Sequence, residues 1–516
     1  MDVEVVICSA SGKPIFCYER RSGCPYDATT SASSSVSTQK SSFVSSLQGL
    51  HSFVSCMQHE ELQQVQTAGC RCFFQTRENL TFAIILRVSH TEAQSTNTGT
   101  SCDDDDVDTV PDIPVECLQR LIQLLHSQIL FVLTERGLDV LRRQPGYDLR
   151  DLLNGTERVM TALCDRWATE PTLRFQDLGV PFVRLPPGQR VAITRTLEYE
   201  PSPSAAAASS SSSSSASGSD AVASAASAMI CGVLLARNKI VAVSQPNKKQ
   251  FSILIDDLLL LVNFVYHTPS LAKSETWTPI CLPSFNASGF LYAYVVFLTA
   301  DICLLLLSSQ QSPEQFHAFH AKKEFMAQKL LSVGALETIH NSVQCHGGSW
   351  KPHGDLPLLT HFIYKNELTG ECVTPELDFP FDDGDHDTSM QLLNQYAKLH
   401  HVMYPSGATG TGTTSRQQQK GAGAKGQPLG KRLSGLHDSI ASRLVFARSE
   451  SGLFIGTCTD EYRLYACFDS LASVTEAKDQ CQLLVERLRR DDGLMTPPFF
   501  VTGFDGSGGG SLSMWP

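Results

Sequence analysis

The sequence predicts an α+β chain built from three related modules, each a mainly antiparallel sheet packed by helices. Three observations lead there. Short apolar runs come in pairs joined by turn residues, as β-hairpins do. Segments with apolar residues at helical spacing lie between and after those pairs. The order strand–strand–helix–strands–helix recurs about three times along 516 residues. A repeat of roughly 100 residues or more marks repeated domains and not a solenoid.

The first module opens with strands at 3–8 and 13–18, joined by a Ser-Gly turn. Phe43, Leu47, Leu50, Val54 and Met57 follow at helical spacing, so this face is expected to pack on the module's own sheet. Strands at 72–75 and 80–88 meet at Glu78-Asn79. A long helix starts near Pro114, where a missing N–H costs nothing, and carries Leu118, Leu121, Ile122, Leu125, Ile129 and Leu133 on one face.

In the second module, 229–236 and 239–243 pair across Arg237-Asn238. Asp256 or Asp257 is placed to cap the helix bearing Leu258, Leu261, Val262 and Val265. The apolar run 290–307 is long enough to suggest a membrane span. Asp301 inside it would cost about 2.5–3.5 kcal/mol at a bilayer centre. The run therefore reads as two buried strands split at Thr299-Ala300-Asp301, followed by a helix with Phe319, Met326, Leu330 and Val333 on one face. The third module is fainter, with a strand at 361–365 and a helix at 390–403. Strands at 443–448, 453–458 and 463–468 follow, then a closing helix carrying Val474, Ala477, Cys481, Leu484 and Leu488.

Low-complexity tracts punctuate this order, Ser-rich at 29–46, acidic at 103–106, Ser/Ala-rich at 201–228 and Gly/Gln-rich at 407–430. Such tracts bury too little apolar surface to offset ordering. The modules are accordingly set at 1–165, 229–345 and 346–495. A connector and linker occupy 166–228, and a flexible tail 496–516.

The chain has 53 acidic and 41 basic residues, a net charge of −12 that argues against non-specific nucleic-acid binding. Its 17 cysteines lie scattered through apolar segments without a CxxC pair, the nearest approach being Cys70-Arg71-Cys72. They are expected to be reduced thiols of a cytosolic chain. Met1-Asp2-Val3-Glu4 carries no basic region of a signal peptide, which agrees with that expectation.

No constellation for side-chain chemistry emerges. Gly426 to Arg432 is one residue short of a phosphate loop and lacks its Ser/Thr. No Gly-x-Ser-x-Gly elbow occurs. His317 and His320 lie three apart on a helix, but no nearby Cys, Asp or Glu set is seen to complete a metal shell. His400 and His401 fall on different helix faces, and 103–106 reads as a solvated acidic loop. Neither cofactor, metal nor catalytic residue is expected.

The most specific stretch runs Trp277-Thr278-Pro279-Ile280-Cys281-Leu282-Pro283-Ser284-Phe285-Asn286-Ala287-Ser288-Gly289-Phe290-Leu291-Tyr292-Ala293-Tyr294. Physically it reads as a Pro-bounded connector entering a buried strand, with Trp277, Pro279, Pro283, Gly289 and Tyr292 in structural roles. As a string it resembles the hallmark of the Mon/SAND family of vacuolar-fusion proteins. Gly12 to Ile15, Tyr147 to Leu153 with Gly155-Thr156-Glu157, Asp257 to Val262, Cys303 to Ser308, Phe362 to Lys365 and Leu464 to Ala466 resemble further blocks of that family in order.

The resemblance implies three longin-like (roadblock/longin-type) domains and pairing with a Ccz-type longin protein. It implies a guanine-nucleotide exchange complex for the late-endosomal, Rab-seven type GTPase, acting in endosome maturation, vacuole and lysosome fusion and autophagic delivery. The early-endosomal Rab is a further candidate partner, and peripheral contact with anionic or phosphoinositide membranes is expected. Exchange proceeds by binding, with no nucleophile required, so the chain is expected not to be an enzyme in the chemical sense. The family's GTPase platform directs attention to the 43–58 helix, whose polar face offers Gln48, His51, Ser55 and Gln58. Against the resemblance, the family's long acidic N-terminal region is expected to be missing, with regulation through it, and the insertions interrupt the second and third modules. The competing reading is a non-exchanging longin scaffold or trafficking adaptor that binds Rab or SNARE proteins.

Overall fold

Two hairpins turn on residues that tolerate the left-handed region. Glu78 and Asn79 have φ of 48° and 67°, and Arg237 and Asn238 of 42° and 62°. Such pairs make the two-residue turns whose twist matches antiparallel strands. The computed structural model describes residues 2–9, 12–21, 49, 53–54, 57, 62–67, 69–88, 113–144, 149–186, 188–198, 229–246, 253–344, 356–367, 369–375, 377, 381, 386–404 and 443–491.

The first sheet comprises β1 (Asp2–Ser9), β2 (Pro14–Arg20), β3 (Gln64–Thr67), β4 (Cys70–Arg77) and β5 (Leu80–Arg87), in the order β2-β1-β5-β4-β3. Helix α1 (Val115–Arg143) follows, then α2 (Arg150–Leu153), α3 (Glu157–Thr169), α4 (Pro171–Arg174), β6 (Val180–Pro181) and α5 (Gln189–Glu198). The second module has β7 (Met229–Ala236), β8 (Lys239–Ser244), α6 (Ile255–His267), β9 (Thr276–Ile280), α7 (Pro283–Asn286), β10 (Leu291–Phe297), β11 (Ile302–Ser308), α8 (Pro313–Ser332) and α9 (Ala335–Gln344). The third has β12 (Leu359–Asn366), β13 (Glu371–Val373), α10 (His386–Met403), β14 (Arg443–Ser449), β15 (Gly452–Cys458), β16 (Tyr462–Phe468) and α11 (Val474–Arg490).

The second sheet runs β8-β7-β11-β10-β9 and the third β14-β15-β16-β12-β13-β6. Counted within each module, the second sheet repeats the strand order of the first. The third gives the same order read backwards, with β6 added at its end. The expectation of three antiparallel modules packed by helices is met. The run 290–307 is two strands, β10 and β11, paired antiparallel on either side of the bend at Asp301.

Four short strands escaped the sequence pattern, among them the two-residue β6, which lies in the stretch read as connector. Mostly exposed β3 lacks apolar alternation, and β13 is only three residues long. Strand β9 contains Pro279, which suits an edge strand because its missing N–H interrupts no interior ladder. The stretch read as a connector is therefore an edge strand, β9, and a helical turn, α7. Two further expectations are corrected. Neither Asp256 nor Asp257 caps α6, whose N-cap is Leu254 without a side-chain bond. Val333 does not share the buried face of α8, because it is the C-cap residue and stands 51% exposed.

The modules do not keep separate cores. Each sheet turns one face toward a common helical layer, where Val5 and Ile84, Val233 and Leu305, and Phe454 and Tyr465 meet α1, α3, α6 and α10 in one cluster. The opposite faces have cores of their own. On the second sheet α5, α8 and α9 pack through Leu197, Phe319 and Ile339, and on the third α11 packs through Ala477, Cys481 and Leu484. Helix α1 is long and apolar enough to cross a membrane, but it is largely buried inside this layer.

Strand β6 joins two of the sheets. Val180 pairs in parallel with Glu371 of β13, and Phe182 just beyond bridges Ile240 of β8. Gly179 makes this possible. Its φ is +95°, and a Cβ there would lie 2.3 Å from the Gly370 carbonyl oxygen.

Candidate partner-binding surface

Gln48, His51, Ser55 and Gln58 lie outside the described residues. Within their segment Gly49, Phe53, Val54 and Met57 are helical. Phe53 is 61% and Met57 70% exposed, while Val54 is half-buried. Gly49, Phe53 and Met57 are spaced by four, so they share one helix face. This corrects the orientation expected from the sequence, which turned Met57 toward the sheet. The solvent-facing stripe is apolar at Phe53 and Met57. The pattern misled because Met57 completes two plausible stripes and Phe53 belongs to only one. The equivalent helices between second and third strands in the other modules, α6 and α10, are buried in the common layer.

The segment around Trp277 fastens modules together. The Trp277 ring stacks on Tyr292 (centroids 6.0 Å apart, planes 12° apart) and meets Phe316 and Phe319 of α8 edge-on. Pro279 lies opposite Tyr292 in the ladder, whose hydroxyl donates to Gln311 at 2.9 Å. Pro283 opens α7, and Gly289 leaves room for the amide of Asn286, 3.1 Å from where a Cβ would stand. On its other side the segment grips α1 where that helix breaks at Thr134, with φ 62° and ψ 165°. Cys281 N–H donates to the Phe131 carbonyl at 2.9 Å, and Glu135 N–H to the Ala287 carbonyl at 2.8 Å. The break frees backbone groups of α1, and the segment satisfies them.

Asp257 completes this joint from α6. Its Oδ1 accepts the Ser284 amide at 3.1 Å, so it caps α7 instead of its own helix. Burial pushes its carboxyl up to about 7, against the opposing pull of the Ser284 and Phe285 amides. Its neighbour Asp256 forms a two-pronged pair with Arg120 of α1, at 2.6 and 2.9 Å.

His320 has acidic neighbours that the sequence reading missed. Glu275 from the turn before β9 and Glu324, four residues along α8, bring their ligand atoms within 4.8 Å of it and of each other. Glu275 is distant in sequence, so only the fold reveals it. The Lys323 ammonium already bridges the two carboxylates at 2.9 and 2.6 Å, and Tyr294 donates to Glu275 at 2.8 Å. Burial would raise the Glu275 carboxyl, but these donors hold it well below the usual range. The cluster is an ion-paired clasp between α8 and the second sheet. His400 is half-buried and bonds the Tyr465 hydroxyl at 2.7 Å, while His401 faces Glu116.

Three family models match in chain order. They describe the first, second and third longin domains of FUZ, MON1 and HPS1, and match residues 3–97, 228–328 and 358–492. The chain belongs to the FUZ, MON1 and HPS1 longin family. Among curated relatives, this longin chain is 31% identical over 295 residues to vacuolar fusion protein MON1 homolog A of Bos taurus. That match covers 56% of the chain and 47% of the relative. The Homo sapiens homolog is 30% identical over 56% of the chain and 40% of its own length. Protein SAND of Takifugu rubripes is 26% identical over 73% and 60%. The chain thus spans about half the length of the curated MON1 relatives it matches. The three matched stretches coincide with the three sheets, β6 apart, and the Trp277 segment lies in the second longin domain.

Proposed function

We propose that the chain is a subunit of a guanine-nucleotide exchange complex for a late-endosomal, Rab-seven type GTPase, paired with a Ccz-type longin protein. In this reading it drives endosome maturation, vacuole and lysosome fusion and autophagic delivery, and is recruited peripherally to those membranes. Family membership and the relatives' name, vacuolar fusion protein, support the trafficking role. The observation that carries the choice of surface is the exposed Phe53–Met57 stripe of the first longin domain. It is an apolar helix face of the kind that protein interfaces bury at their centres.

The activity needs no reacting side chain. A GTPase releases tightly held nucleotide when a partner binds its nucleotide-free state better than its loaded state, and that difference in affinity is the whole of the catalysis. Co-purified with its Ccz-type partner, the chain is expected to speed release of labelled GDP from the Rab well above the intrinsic rate. A rate left at the intrinsic value across the Rabs tested would refute exchange. Stable capture of the GTP-loaded Rab, or of a SNARE, without faster release would establish the adaptor reading instead.

A further inference from the structure

Cys70 and Cys72 stand two apart on β4, so their side chains leave the same face of the first sheet. Their sulfurs are 3.6 Å apart, against about 2.05 Å in a disulfide. Cys72 is buried among Val6, Phe74 and Ile85, whereas Cys70 is half-exposed at the start of the strand. The residue before it, Gly69, has open space where a Cβ would be. Arg87 lies directly opposite Cys70 in the β4–β5 register and is held by Glu4 at 3.2 Å. Of the two sulfurs, the one on half-exposed Cys70 is the one a small disulfide in solution reaches first.

We propose that Cys70 and Cys72 form a reversible disulfide, a redox-modification site on the first longin domain. Cys70 thiolate attacks one sulfur of a low-molecular-weight disulfide of the glutathione class. This forms a mixed disulfide and expels one thiolate. Cys72 loses its proton to solvent and displaces the second thiol from Cys70. Two protein thiols become one S–S bond, and the small disulfide takes up the two electrons and becomes two thiols. Burial, with Cys70 next to it, pushes the Cys72 thiol up to about 12, which suits the resolving partner better than the attacking one. Residues two apart in a strand have Cα atoms, and with them their parallel Cβ atoms, about 6.6–6.8 Å apart. A disulfide holds its Cβ atoms about 3.5–4.5 Å apart, so the bond forms only as the Gly69–Cys70 end of β4 bends toward Cys72. The bond is therefore strained, and strained disulfides are easily reduced.

The experiment uses the full reduced chain, equilibrated across mixtures of reduced and oxidised glutathione, acid-quenched, alkylated and digested with trypsin. Cleavage after Arg71 separates the two cysteines, so the bond holds two peptides together until reductant is added. The expected result is that linked pair, growing with oxidised glutathione and lost again in excess reduced glutathione. Cys72→Ala is expected to trap glutathione on Cys70. Should that variant misfold, the wild-type peptide map decides alone. Both cysteines remaining fully alkylated, a lasting glutathione adduct on wild-type Cys70, or a bond to another cysteine would each overturn the proposal.

Discussion

Asp257→Asn should stabilise the protein at neutral and alkaline pH while leaving it little changed in acid. Asp257 is fully buried, and its carboxyl sits at about 7 instead of an ordinary 3.8. Between those pH values the folded chain holds a proton that the unfolded chain has lost, so stability falls as pH rises and the loss is complete above about 7. At 1.36 kcal/mol per pKa unit the displacement corresponds to roughly 4 kcal/mol. Asparagine keeps an oxygen for the Ser284 amide and carries no charge to bury. Its second group meets no worse surroundings than Asp257 Oδ2, which has no hydrogen-bond partner. Urea unfolding of both proteins at pH 4, 6 and 8 is the assay, with amide exchange at Ser284 and Phe285 as a local reading in a chain of several modules. The variant's advantage should grow from near zero at pH 4 to a few kcal/mol at pH 8. Parallel pH profiles, or equal destabilisation at every pH, would refute the reasoning.

Other perturbations have their own readouts. Burial holds His361 down at about 4, so it should cost stability as pH falls from about 6.5 to 4, and His361→Gln should flatten that acid limb in urea titrations. Phe53→Asp with Met57→Asp should leave the melting temperature within about a degree or two, since exposed sites rarely shift stability by more than about 0.5 kcal/mol. The same pair should slow GDP release by the complex at least about tenfold if the stripe is an interface centre. Trp277→Ala removes a partly buried ring from three aromatic neighbours and should cost about 2–3 kcal/mol, seen as a lower urea midpoint. Gly179→Ala should cost at least about 2 kcal/mol and speed amide exchange at Val180, because its Cβ would collide with the Gly370 carbonyl.

Periodicity revealed the elements with one wet face or a long apolar run. Strands β1, β5, β7, β11 and β16 and helices α1, α8 and α11 were legible for that reason. Strands β3, β6, β9 and β13 were not, because a few edge residues show too little alternation and Pro279 argues against a strand. Helix orientation was less legible than helix existence. The same residues in the 43–58 segment fit more than one stripe, and only the exposure of Phe53 and Met57 decides between them. Asp257 looked like a cap for its own helix because a sequence shows neighbours in chain and not in space. The ring of Glu275 and Glu324 about His320 was hidden in part for the same reason.

Strand β6 has a consequence for how the chain is cut and made. It is synthesised ahead of both strands it will join, β8 and β13. A nascent chain must therefore carry an unpaired extended segment until β13, early in the third domain, has left the ribosome. A fragment starting at β7 would omit it altogether, leaving the backbone edge of β13 open to a strand from another molecule. Expression of the second and third domains by themselves should therefore begin upstream of Gly179, with solubility as the practical measure of that choice.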